Sequence, residues 1–131
     1  MSLNIDHVVI TVSDINKSID FYSNILGMEL QEFLSSIDNV KRKSLKFGNQ
    51  KINLHEASKP FKPHSHNPLP GTMDICFLSE INVNDWMKIF DKFDIKIEDG
   101  PSIKTGANGP IKSIYVRDPD KNLIEISNQH Y

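Results

Sequence analysis

Four polar side chains interrupt strand-like runs that are otherwise aliphatic: His7 in IDHVVITV, His55 in KINLHE, Asp74 in TMDICFL and Glu125 in NLIEISNQ. On strand alternation His7 shares a face with Val9 and Thr11, while Val8, Ile10 and Val12 take the other. Glu125 likewise sits with Leu123 and Ser127 against Ile124 and Ile126, and His55 with Asn53 against Ile52 and Leu54. Imidazole and carboxylate are ligands of first-row divalent metals, and two of each from separate strands would leave coordination positions open for water or substrate. Taken singly, each residue reads as a satisfied or solvent-facing polar group. Their matching placement in two halves of the chain is what points to a site.

The elements that must position them repeat. Ile5 to Val12 reads as a strand, Ser13 or Asp14 caps a helix running through Tyr22 and Leu26, and Gly27 stops it. Three extended segments follow, Met28 to Leu34, Val40 to Phe47 and Lys51 to His55, with Gly48-Asn49-Gln50 turning between the last two. The segment KPFKPHSHNPLPG, Lys59 to Gly71, carries four prolines and reads as a loop or linker. Beyond it come a strand from Thr72 to Leu78, a helix capped by Asn82 or Asn84 and ending near Phe93, and a strand from Ile95 to Glu98. A Gly/Pro-rich segment, Asp99 to Pro110, then leads to a strand from Ile111 to Arg117, the turn DPDKN, and a last strand from Leu123 to Ser127. Laying the halves on one another pairs His7 with Asp74 and, at a slightly larger offset, His55 with Glu125.

Bulk properties bound the rest. The chain has 131 residues, 24% of them charged, and a net charge of −2, which suits one soluble domain and gives no reason to expect nucleic acid or an anionic membrane as partner. Lys41-Arg42-Lys43 reads as a solvated strand edge. A single cysteine, Cys76, excludes an intramolecular disulfide framework and, with no long apolar run or leader, sets the expectation of a cytoplasmic protein. Cys76 shares the face of Asp74 and reads as a small filler that can line a pocket. Trp86, Phe90 and Phe93 read as core or dimer contacts, and His64-Ser65-His66 as a solvated loop or a lid.

The stretches DHVVITVSDINKSIDFYSNILGM and SIYVRDPDKNLIEISN resemble the vicinal-oxygen-chelate superfamily, which includes glyoxalase I, fosfomycin-resistance thiol transferases, extradiol dioxygenases and bleomycin-resistance proteins. FGNQKINLHE, PGTMDICF and GPSIKTGANGPIKSIYVRDPD look most like its glyoxalase domain-containing protein type 5 group, which includes bacterial proteins labelled virulence-associated. The resemblance implies an α+β fold of two tandem βαβββ modules whose curved mixed sheets form a half-open barrel around a cavity. One domain spans 1–131, with module one at about 4–58, a linker at about 59–70 and module two at about 71–131. It matches the family's first-strand His to His7 and its last-strand Glu to Glu125. The fourth-strand ligand falls near His55, with Glu56 as an alternative of opposite parity, and the fifth-strand ligand, commonly His, falls on Asp74. Tyr115 matches a phosphonate-contacting tyrosine of the fosfomycin enzymes, although by itself it reads as an aromatic filling a strand.

The expected function is that of a metal-dependent enzyme. His7, His55, Asp74 and Glu125 hold a divalent first-row ion (Zn, Ni, Mn, Co or Fe), and Glu125 or Asp74 serves as base. Asn53, Cys76, Tyr115 and Arg117 line the pocket of a small oxygen-rich substrate. Lyase or isomerase chemistry on an α-hydroxycarbonyl is favoured over thiol transfer and ring cleavage. The alternative is a metal-free drug- or metabolite-binding module, or an inactive relative kept for protein contacts. Resemblance also leads one to expect a homodimer.

Overall fold

The computed structural model describes residues 2–131. The chain divides into two compact units, Met1–Gly71 and Thr72–Tyr131. In the first, β1 (His7–Val12) leads into α1 (Ile15–Ile19), which continues as a π-helical stretch over Asp20–Ile25, followed by β2 (Glu29–Leu34), β3 (Lys41–Phe47) and β4 (Gln50–Glu56). In the second, β5 (Asp74–Leu78), α2 (Val83–Lys92), β6 (Asp99–Gly106), β7 (Gly109–Arg117) and β8 (Leu123–Gln129) follow the same order. The sheets are ordered β1-β4-β3-β2 and β5-β8-β7-β6. In each, the first strand runs parallel to the last and the remaining pairs are antiparallel. The duplicated βαβββ order is therefore a duplication of topology as well.

Alternation sorts each sheet into two faces. In the first unit Ile10, Val12, Ile52 and Leu54 are at most 3% exposed and join Phe21 and Tyr22 of the helical segment in the core. Asp14 starts that helix by accepting hydrogen bonds from the Asn16 and Lys17 amides, as the sequence leads one to expect. In the second unit α2 packs on β7 and β8, placing Val83, Trp86 and Phe90 against an aliphatic face built from Ile114, Val116, Ile124 and Ile126. Trp86 stacks on Phe90 at 5.7 Å and donates its indole hydrogen to Ser79, whereas Phe93 stays exposed.

Three local expectations change. The segment from Ile95 to Glu98 is not a strand, because the Ile95 amide is spent on the Phe90 carbonyl at the end of α2. Strand β6 forms instead over Asp99–Gly106, where β7 offers a ladder; Pro101 is accommodated because β6 is an edge strand with a bulge between Asp99 and Ser102. Lys41-Arg42-Lys43 is only partly a solvated edge: all three pair with β2 and Lys43 alone also pairs with β4, while the Arg42 guanidinium lies 3.6 Å from the centre of the Phe61 ring and bonds Asp38. Residues 59–70 belong to the first unit rather than standing apart from it, with Phe61 stacked on the His55 ring at 4.0 Å.

The DPDKN turn forms as its residues demand. Asp118 accepts from the backbone amides of Asp120 and Asn122 and from the Asn122 side chain, which in turn accepts from the Met73 amide. Lys121 adopts a left-handed φ of 66°, a conformation that costs a non-glycine residue about 1 kcal/mol. Among the described residues no helix is long and apolar enough to cross a membrane.

Candidate functional site

The face of the second sheet opposite α2 carries the site. Parallel pairing of β5 with β8 sets Cys76 beside Glu125, and antiparallel pairing of β7 with β8 sets Tyr115 on its other side. A cleft of about 520 Å³ opens over this row, with Lys104, Asn108 and Gln129 also on its walls. Glu125 is half-buried, so the polar side of the last strand is a cleft floor rather than a solvated face.

Beneath the cleft, Ser113 donates to Glu125 Oε2 at 2.6 Å, and Ser127 lies 3.4 Å from the same oxygen. Ser113 and Ser127 are 2.7 Å apart, and the Cys76 thiol is 3.3 Å from Ser127. The Cys76 thiol is pushed up, first by desolvation and further by the Glu125 and Asp74 carboxylates, despite the opposing bond from Ser127. It is therefore a neutral pocket wall at ordinary pH and not a ready nucleophile. The Tyr115 phenol is pushed up to about 12 by desolvation first and then by Glu125, so it stays protonated and able to donate. The Lys104 ammonium stands 5.7 Å from the Tyr115 ring centre.

Other expected residues are placed less tightly. Asp74 is exposed and pairs with Leu123, two positions from Glu125 along β8, so both carboxylates share a face. Arg117 is not among the residues lining this cleft: it grips Glu98 through two bonds of 3.1 and 2.9 Å and bonds the Lys121 carbonyl. His64 bonds the Ser65 carbonyl in an exposed loop.

In the first unit His7 is exposed and bonds Asp6 at 2.7 Å, which holds the Asp6 carboxyl below its ordinary value. The expected match of His55 to Glu125 does not hold. With His7 aligned on Asp74, Val9 matches Cys76; Val9 pairs with Asn53, and Cys76 with Glu125. Asn53 is thus the counterpart of Glu125, and His55 that of Ser127. His55 also pairs with Thr11, four ladder positions from His7, or roughly 13 Å along one sheet face. Two side-by-side imidazoles so spaced cannot share an ion whose bonds to nitrogen are about 2 Å. His55 is instead buried under Phe61, and desolvation followed by the Arg42 and His64 charges lowers its pKa.

Carboxylate and imidazole donors are of the right type for a first-row ion, and Glu125 is held ready for one by its serine. Among the described residues, however, no three His, Cys, Asp or Glu side chains stand together as a metal-binding group. Ser113 and Ser127 are the functional candidates that sequence reading passed over. Their signal was small hydroxyls two residues from Tyr115 and Glu125, on the polar side of otherwise aliphatic strands.

The sequence pattern of the Glyoxalase/Bleomycin resistance protein/Dioxygenase superfamily matches residues 4–126. The glyoxalase domain-containing protein RDO1 of Mycosarcoma maydis is 48% identical over 124 residues, covering 95% of this chain and 67% of that one. Virulence protein STM3117 of Salmonella typhimurium is 47% identical over 123 residues, covering 94% and 82%. Its crystal structure superposes with a TM-score of 0.89 at 45% identity over 99% of each chain. An integron cassette protein from the mobile metagenome of V. cholerae gives a TM-score of 0.90 at 40% identity, over 99% of this chain and 98% of the other. The chain belongs to the Glyoxalase/Bleomycin resistance protein/Dioxygenase superfamily.

Proposed function

We propose that this chain is a glyoxalase-like, divalent-metal-dependent enzyme acting on a small oxygen-rich substrate, with lyase or isomerase chemistry on an α-hydroxycarbonyl. The observation that carries the proposal is Glu125: a carboxylate in a cleft, with one oxygen fastened by Ser113 at 2.6 Å and flanked by Tyr115 and Cys76. The proposal assigns His7, Asp74 and Glu125 as ligands. The ion, when bound, supplies Lewis-acid polarisation of adjacent substrate oxygens. The chain's own residues bind and orient: Tyr115, whose phenolic hydrogen goes to Glu125, orients that carboxylate beside the substrate, Lys104 offers positive charge at the wall, and the Cys76 row keeps the floor polar but unreactive. A homodimer is part of the same proposal.

A second reading is a metal-free binder of a small molecule in the same cleft. It is favoured by Asn53, a neutral amide where the duplicated module has a carboxylate, and by the packing of His55 under Phe61. Elemental analysis of protein purified without chelator separates the two. One first-row ion per chain, lost in His7→Ala and Glu125→Ala, supports the enzyme; an ion-free wild type overturns it and leaves the binder.

A further inference from the structure

A second pocket, of about 450 Å³, opens in the first unit where β3 begins and β4 ends, and it shares no lining residue with the cleft over Glu125. Its charged wall sets Lys41, Arg42, Lys43 and Lys59 against Asp38 and Glu56, an excess of two positive charges on a chain whose net charge is −2. Ile15, Leu54 and Phe61 give it an apolar side. Arg42 is the fixed point. Its side chain is 11% exposed, the Phe61 ring backs the guanidinium at 3.6 Å, and Nη2 donates to Asp38 Oδ2. Among the described residues the Arg42 Nε is buried with no hydrogen-bond partner. Asp38 does not take both prongs, because its Oδ1 accepts from the Val40 amide and the Ser35 hydroxyl bonds the same carboxylate. One prong of a rigid, planar two-pronged donor is therefore unused.

We propose that this pocket binds a phosphate monoester with an apolar body, which displaces Asp38 from Arg42. Such a monoester carries a charge of about −1.5 to −2 near neutral pH and three acceptor oxygens. Two of them close on Nη2 and Nε together, and the third faces the lysines, of which Lys41 and Lys59 are exposed and Lys43 stands 4.0 Å from Glu32. A carboxylate would fill the fork but leave the second positive charge unanswered. Asp38 is 39% exposed and lies on the connection between β2 and β3, so it is the partner that gives way. Until then it competes with the ligand for Arg42. No metal ion enters this site, and the proposal stands apart from the reading of Glu125.

The test titrates phenyl phosphate into the full-length protein by calorimetry at about pH 7.5, with chelator present so that no metal ion takes the phosphate. A single submillimolar site is expected in the wild type. Asp38→Asn, which keeps an acceptor for the Val40 amide but removes the competing charge, is expected to tighten binding about threefold or more. Arg42→Lys, which keeps the charge but loses the fork, is expected to weaken it about tenfold or more. Lys59→Ala, at an exposed position, weakens it about two- to fivefold and gives a reading even if circular dichroism shows that Arg42→Lys misfolds. Benzoate, with the same ring and a single charge, binds about tenfold more weakly. No saturable binding to the wild type by about 10 mM would overturn the proposal, and so would wild-type affinity in both Arg42→Lys and Lys59→Ala. Weaker binding in Asp38→Asn would overturn the exchange, and equal affinity for benzoate would overturn the assignment of a phosphate.

Discussion

Asn53 and Glu125 occupy one register position in the two modules, each two residues along from the partner of the first-strand polar residue. The amide is no relaxed substitute for the carboxylate, since its Oδ1 is buried without a hydrogen-bond partner among the described residues. The two modules therefore present different chemistry from the same scaffold, a charged acceptor in one and a neutral amide in the other. Asn53→Ala is expected to leave cobalt affinity within threefold of wild type, whereas Glu125→Gln lowers it at least tenfold. Equal losses in the two would mean that the module-one position is a ligand after all.

Gly100 has a φ of 91°, and a Cβ built on it would press into the carbonyl oxygen of Ser113. Its side of the β6 bulge is thus sealed by backbone that cannot yield as a flexible side chain would. Gly100→Ala is expected to cost about 2–3 kcal/mol in urea unfolding, from the left-handed strain and the collision together. Because the collision falls on the Ser113 backbone, a folded Gly100→Ala protein is also expected to bind cobalt more weakly.

Asp118 is 4% exposed and accepts two hydrogen bonds from Asn122, itself 1% exposed, through its amide and side chain, and a third from the Asp120 amide. Removing the carboxylate leaves those donors buried. Asp118→Ala is expected to lower stability by about 2–4 kcal/mol, read as a shift in the denaturation midpoint at unchanged slope. Asp118→Asn keeps part of the acceptor geometry and recovers part of the loss.

Burial pushes the His55 imidazole below its ordinary 6.5, and the Arg42 and His64 charges push it further the same way. The unfolded chain accordingly binds that proton more readily than the folded one, so stability rises with pH between the two pKa values. The contribution is full above 6.5 and is lost as the pH falls through the lower folded-state value. Urea midpoints are expected to drop between about pH 7.5 and pH 5.5, and the drop to shrink in His55→Phe, which stacks under Phe61 without a titrating ring. An undiminished drop in that variant would place the pH sensitivity elsewhere. Phe61→Ala is expected to admit water to the imidazole and raise its NMR-detected pKa toward the ordinary value.

Much of this molecule follows from the order of its residues alone. The βαβββ duplication, the Asp14 cap, the Asp118 turn and the identity of Glu125 as a polar residue on a covered face all depend on local alternation and short-range hydrogen bonds, which a linear pattern records. The pairing of His55 with Glu125 failed for an equally physical reason. Strand alternation has a period of two, so sliding one module against the other by two residues keeps every side chain on its face and leaves the pattern unchanged. Asn53 and His55 look alike by that measure. Only the ladders, Val9 to Asn53 and Cys76 to Glu125, select between them. Strand β6 escaped for a related reason: Ile95 and Ile97 have the better alternation, but the hydrogen-bonding partner lies opposite Asp99–Gly106, and an edge strand tolerates its proline. The serine support of Glu125 belongs wholly to tertiary structure. Ser113 and Ser127 lie 14 residues apart, and their hydroxyls acquire a direction when cross-strand pairing brings them to one carboxylate.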